Sequence, residues 1–146
     1  MDIREITPRY YVSPQIAVED VSILAQLGFS CVICNRPDAE VPTPLQAAAM
    51  QQAAAAAGLT FVLNPLTHDS MTEEKLRLQR DTLEAANGKV LAYCASGTRS
   101  TVAWILGHAG RLPTDDLFMA AAKGGYQLDA LRPQVDYLAQ SGANQD

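Results

Sequence analysis

The stretch Lys89-Val90-Leu91-Ala92-Tyr93-Cys94-Ala95-Ser96-Gly97-Thr98-Arg99-Ser100-Thr101 decides the fold. Lys89 to Tyr93 is a short run with no polar alternation, the pattern of a strand buried on both faces. From about Ser100 to Ala109 the spacing becomes helical. The turn between them contains Gly97, which reaches backbone conformations closed to other residues. A buried strand that passes directly into a helix is the repeating unit of an α/β sheet.

Upstream, Phe29 to Cys34 and Leu59 to Leu63 are further strands, the first closed by the turn residues Asn35-Arg36-Pro37-Asp38. Tyr10-Tyr11-Val12 is a first strand. Helices are predicted between them. One spans Val18 to Leu27, with Gly28 at the capping position. The next starts at Thr43, with Pro44 at its first position and Gln46 completing a capping box, and runs to Gly58. A third opens with the box Ser70-Met71-Thr72-Glu73 and stops near Gly88. Two more, about Asp115 to Ala122 and Leu128 to Gln140, close the chain. The order β-α-β-α-β-α-α-α implies an α/β fold with a mostly parallel sheet flanked by helices. Residues 1–146 are expected to form a single domain. Ligands of such sheets bind beyond the carboxyl ends of the strands, where the loops after Cys34, Leu63 and Tyr93 converge.

Composition narrows the partners. The net charge is -5 and no Lys/Arg run stands out, so nucleic acid and anionic membranes are not expected. No stretch approaches the ~20 apolar residues of a membrane span, and the N-terminus lacks the apolar core of a signal peptide. Three cysteines without an export signal fit free thiols in the cytoplasm.

The Cys94 loop is where chemistry is expected. The backbone N–H groups of Ala95, Ser96, Gly97, Thr98 and Arg99 can curl toward one point, and the helix N-terminus adds partial positive charge. Arg99 adds a full charge and a planar fork of donors. Such surroundings lower a thiol pKa from ~8.5 toward ~3.5–7.5, which makes Cys94 a candidate nucleophile beside a cradle for an anion. Ser100 either caps the helix or donates to the sulfur. Arg36 either binds the anion or pairs with Asp38 or Glu40. Asp69 is a candidate general acid, or else favours the helix dipole from its place before Ser70; neighbouring His68 is expected to be solvated. Cys31 and Cys34 point to opposite faces of their strand, which excludes a shared metal; Cys34 is a candidate resolving thiol for Cys94. Trp104 and His108 share a helix face and are expected to pack.

Val12-Ser13-Pro14-Gln15, Val32 through Asp38, and Tyr93-Cys94 with Gly97 through Thr101 carry a resemblance. From Val12 to Gly110 the chain resembles the small bacterial DUF442 family, the phosphatase-like domain of beta-lactamase-hydrolase-like proteins. The resemblance implies a dual-specificity-phosphatase-like fold. Cysteine phosphatases are similar in layout, with an upstream aspartate as general acid in a place like that of Asp69. Their motif is His-Cys, five residues, then Arg, whereas here Tyr93 precedes Cys94 and four residues separate it from Arg99. Rhodanese-type sulfurtransferases have the shorter loop, often with Arg where this chain has Ala95. A tighter ring of N–H donors suits a persulfide, and some family members are joined to a persulfide-oxidising domain. The expectation is therefore a sulfurtransferase that moves sulfur from thiosulfate or a persulfide to a thiol through a Cys94 persulfide, without metal or organic cofactor. A separate persulfide-oxidising enzyme is then an expected partner. The alternative is a phosphate-ester hydrolase with a Cys94 phosphoenzyme and Asp69 as acid. A non-catalytic anion-binding module is a more remote alternative.

Overall fold

Runs of apolar residues with no polar face must be covered on both sides, and this dictates the middle of the molecule. The computed structural model describes residues 1–145. Its sheet contains β1 (Arg4–Glu5), β2 (Tyr10–Ser13), β3 (Phe29–Cys34), β4 (Thr60–Leu63) and β5 (Lys89–Tyr93). Their spatial order is β1-β2-β5-β3-β4. All neighbours are parallel except β1, which pairs antiparallel with β2 at the edge. The sequence reading missed β1, because a two-residue edge strand has no periodicity to detect.

Side chains alternate across this sheet. Cys31, Ile33, Val90 and Ala92 face one core with Tyr10 and Val12, while Val32, Cys34, Leu91 and Tyr93 face the other. Helices α1 (Val18–Gln26) and α2 (Ala47–Ala57) cover the second face through Val21, Leu24, Met50 and Ala54. Helices α3 (Glu73–Ala85), α4 (Thr98–Gly107), α5 (Thr114–Lys123) and α6 (Arg132–Ser141) cover the first. Helix α4 is the most buried of these, with every residue from Ser100 to Gly107 inside. Cys31 and Cys34 therefore do lie on opposite faces, and burial pushes the Cys31 thiol up to about 11.

Four helix starts differ from the sequence expectation: α6 begins at Arg132 and not about Leu128, because Asp129–Leu131 forms a separate 3-10 turn, and the other three differ for local reasons. Thr43–Leu45 is a 3-10 turn, and α2 begins only at Ala47, whose N–H donates to the Asp38 carboxylate at 2.8 Å. The cap of α3 is Thr72, which accepts from Lys75 N–H at 3.3 Å; Ser70 instead closes a turn with Thr67. Asp69 therefore stands outside the first turn of α3, and Glu73 and Glu74 occupy the dipole-favoured positions. Helix α4 starts two residues before Ser100, at Thr98, so Arg99 belongs to its first turn. Among the described residues no helix is long and apolar enough to cross a membrane.

Candidate active site

Strand β5 delivers the chain to Cys94 at the carboxyl edge of the sheet, and α4 carries it away. Cys94 is buried, and its N–H donates to Ser13 O at 3.3 Å. The Gly97 N–H points back at Cys94 Sγ, 3.1 Å away. Gly97 achieves this with φ of 91°, in the left-handed region that favours glycine.

Donors of an anion loop face inward only if the carbonyls face outward. Here two loop carbonyls, and one just beyond the loop, are held by side chains. Tyr126 donates to Ser96 O at 2.9 Å, Thr101 to Gly97 O at 2.8 Å, and Tyr10 to Ser100 O at 2.7 Å. The Ser96 hydroxyl accepts from Thr98 N–H and so folds the exposed tip. Neither Tyr10 nor Tyr126 carried a sequence signal, since both come from segments distant from the loop.

A buried polar cluster lies beneath the loop. Gln79 of α3 donates to Tyr10 Oη and Asn35 Oδ1, and accepts from the side chains of Asn35 and Asn64. These bonds use all four hydrogen-bonding positions of its amide. Ser100 donates to Asn35 Oδ1 at 2.8 Å. That corrects the expectation for Ser100: its one proton goes to Asn35, so it does not donate to the sulfur, and it lies inside α4 rather than capping it. Asn35 and Asn64 leave the ends of β3 and β4, so the cluster fixes three loops of the carboxyl edge relative to one another.

Arg99 is held by two acceptors. It makes a forked ion pair with Glu40 at 2.7 and 2.8 Å and donates to Leu66 O at 2.8 Å. Arg36 reaches the same carboxylate at 3.3 Å, so its pairing with Glu40 is the realised one of its two sequence readings. The hydrogen bond from Arg99 holds the Glu40 carboxyl below its usual range, with burial opposing and Arg36 assisting. A lowered folded-state value adds stability that is complete above the unfolded carboxyl value of ~4.3 and lost as pH falls through the folded one. Thermal unfolding of Glu40→Gln and wild type is therefore expected to differ at neutral pH and to converge in acid. A constant difference across that range would exclude the Glu40 pair as its source.

Asp69 sits on the exposed turn between Thr67 and Ser70 and shares a cleft with Thr98. His68 is exposed beside it, as expected. Cys34 pairs in register with Tyr93, the residue before Cys94, on the sheet face covered by α1 and α2. Its sulfur lies on the same face as Tyr93 and donates to Arg36 O at 3.4 Å, and burial pushes its thiol up. Trp104 and His108 pack together, with ring centres 5.3 Å apart. Among the described residues no three His, Cys, Asp or Glu side chains converge to hold a metal ion.

Comparison with known proteins shows the family and the fold. Residues 2–111 match the family described as beta-lactamase hydrolase-like protein, phosphatase-like domain. The beta-lactamase hydrolase-like protein of Agrobacterium fabrum is 31% identical over 127 residues, which is 86% of this chain and 30% of that protein. This chain thus spans about a third of the length of the curated relatives it matches. A candidate phosphatase from Neisseria meningitidis superposes with a TM-score of 0.81 at 32% identity, over 94% of this chain and 98% of that one. TpbA of P. aeruginosa, solved with phosphotyrosine, superposes with a TM-score of 0.65 at 18% identity, over 98% of this chain and 91% of its own, a likeness of fold alone.

Proposed function

Because this chain belongs to the family of beta-lactamase hydrolase-like phosphatase-like domains, we propose that it is a cysteine-dependent phosphatase acting on phosphate monoesters. The observation that supports the reading is that Asp69 lines a cleft together with Thr98, the first residue of α4 and a member of the loop that follows Cys94. A phosphatase needs a nucleophile, an anion cradle and an acid within reach of one substrate.

In the first step Cys94 Sγ bonds to phosphorus as the ester P–O bond breaks. Arg99 and the inward N–H groups stabilise the charge on the equatorial oxygens. Asp69 gives its proton to the leaving oxygen, which departs as an alcohol or phenol. In the second step water attacks the Cys94 phosphoenzyme, Asp69 takes a proton from that water, and inorganic phosphate leaves with the thiolate restored. The carbonyl anchors and the Gln79 cluster keep the donors aimed before substrate arrives, which reduces reorganisation in the transition state.

Asp69→Asn separates this acid role from a purely structural one. Its kcat/KM on phenyl phosphate should fall by about 10²-fold, and by much less on 4-nitrophenyl phosphate, whose leaving group needs little protonation. Equal losses on the two esters, or none, would remove Asp69 from the mechanism.

The four residues between Cys94 and Arg99 favour a second reading, transfer of sulfur through a Cys94 persulfide. Intact mass spectrometry of the reduced protein after thiosulfate decides between them. Phosphatase chemistry leaves the mass unchanged. A gain of one sulfur, reversed by thiol and absent in Cys94→Ser, would replace it with sulfur transfer and restore the expectation of a persulfide-oxidising partner.

A further inference from the structure

A cleft of about 600 Å³ runs from the Cys94 loop along one stripe of α4, formed by Thr98, Val102 and Leu106 at successive turns. Its other walls are Met71, Leu128 and Leu131. A smaller hollow of about 150 Å³ continues it, sharing Met71, Leu106 and Gln134. Asp69 and His68 are part of its lining as well.

Two features of this cleft bear on what can occupy it. The first is direction. If Asp69 protonates the leaving oxygen, the body of the leaving group extends from Asp69, and the cleft is the space there. The second is charge. Among the described residues that line the two hollows none is Lys or Arg, and the titratable ones are His68, Asp69 and Glu73. A leaving group with further phosphates or carboxylates would meet two acidic residues and no fixed cation. An uncharged apolar body would displace water from Met71, Leu106, Leu128 and Leu131, which is favourable.

We infer that the substrates are phosphate monoesters of uncharged, apolar alcohols or phenols, with the organic body lying along α4. This inference rests on the phosphatase reading. It separates such esters from nucleotides, polyphosphates and phosphorylated sugar acids, all of which carry additional negative charge.

Calorimetric titration with non-hydrolysable phosphonates tests it. Methylphosphonate probes the anion loop alone. Biphenyl-4-phosphonate adds an apolar body, and 4-carboxyphenylphosphonate adds a second charge. The biphenyl compound is expected to bind roughly ten- to a hundredfold tighter than methylphosphonate, and the carboxyphenyl compound to gain nothing. Leu131→Ala should remove several-fold of the biphenyl gain and leave methylphosphonate unchanged. Gln134→Lys, at an exposed position where folding is not at stake, should selectively improve the carboxyphenyl compound. Equal binding of methyl and biphenyl phosphonates, or tightest binding of the carboxyphenyl compound, overturns the inference while the phosphatase reading stands. If none of the three phosphonates and no inorganic phosphate binds, and phenyl phosphate is not hydrolysed, the phosphatase reading itself falls and the inference falls with it.

Discussion

Cys94→Ser lowers the hydrolysis of phenyl phosphate by at least about 10⁴-fold, the scale on which loss of a nucleophile acts in covalent catalysis. The substitution changes one atom in a fully buried position, so the packing around the β5 end survives. What changes is the chemistry of that atom. A hydroxyl is a weak nucleophile unless a neighbouring base activates it, whereas sulfur is intrinsically far more nucleophilic. The Gly97 N–H that points at the sulfur still has an acceptor in serine oxygen. Binding of methylphosphonate is accordingly retained while turnover disappears. Steady-state kinetics and calorimetry on the same sample check both halves. A residual rate within about tenfold of wild type would mean that Cys94 is not the attacking group.

Gly97→Ala strikes the other half of the site, its shape. A residue with a side chain at φ of 91° costs about 1–3 kcal/mol in backbone strain. In addition, a Cβ at this position would overlap the Tyr126 hydroxyl. The loop must then release Tyr126 from Ser96 O or rotate Gly97 away from the sulfur, and either movement disperses the inward donors. Urea unfolding should show roughly 3 kcal/mol of lost stability, and kcat should fall by about 10²-fold, as when one preorganised donor is removed. Adding Tyr126→Phe to Gly97→Ala should recover part of the stability, because the overlap is relieved while the strain remains. Full additivity of the two substitutions, or wild-type stability for Gly97→Ala, would show that this contact does not shape the loop.

Much of the fold was legible because its strands are short, apolar and unbroken, and because glycines mark where helices stop. The parallel sheet, its two helical layers and the position of the Cys94 loop follow from those features. The errors cluster where several hydroxyl residues compete for one job. Thr67, Ser70 and Thr72 all lie ahead of α3, and local sequence does not say which of them caps it; a turn between Thr67 and Ser70 leaves Thr72 as the cap. Ser100 illustrates the same limit inside the site. Its neighbour in sequence is Arg99, but its partner in space is Asn35, 65 positions away. Glu40 was visible only as a candidate partner for Arg36, and its main bond, to Arg99, crosses 59 positions. The sequence reading placed sulfur transfer first on the length of the loop. The likeness in fold to phosphatases and the placement of Asp69 shift the preferred chemistry to phosphate esters.

The outward anchoring of the loop carbonyls has a consequence for protein engineering. The hexapeptide Cys94 to Arg99 is not a portable cassette. Its carbonyls are held by Thr101 inside α4 and Tyr126 after α5, and Tyr10 on β2 holds Ser100 O just beyond it, and none of these three residues lies within it. Grafted onto another strand-to-helix turn, the same six residues would keep their sulfur and their arginine and lose the instruction that points the amides inward. A working transplant has to carry the two tyrosines, the threonine and Gln79 along with the loop, so the smallest transferable unit of this site is most of the domain.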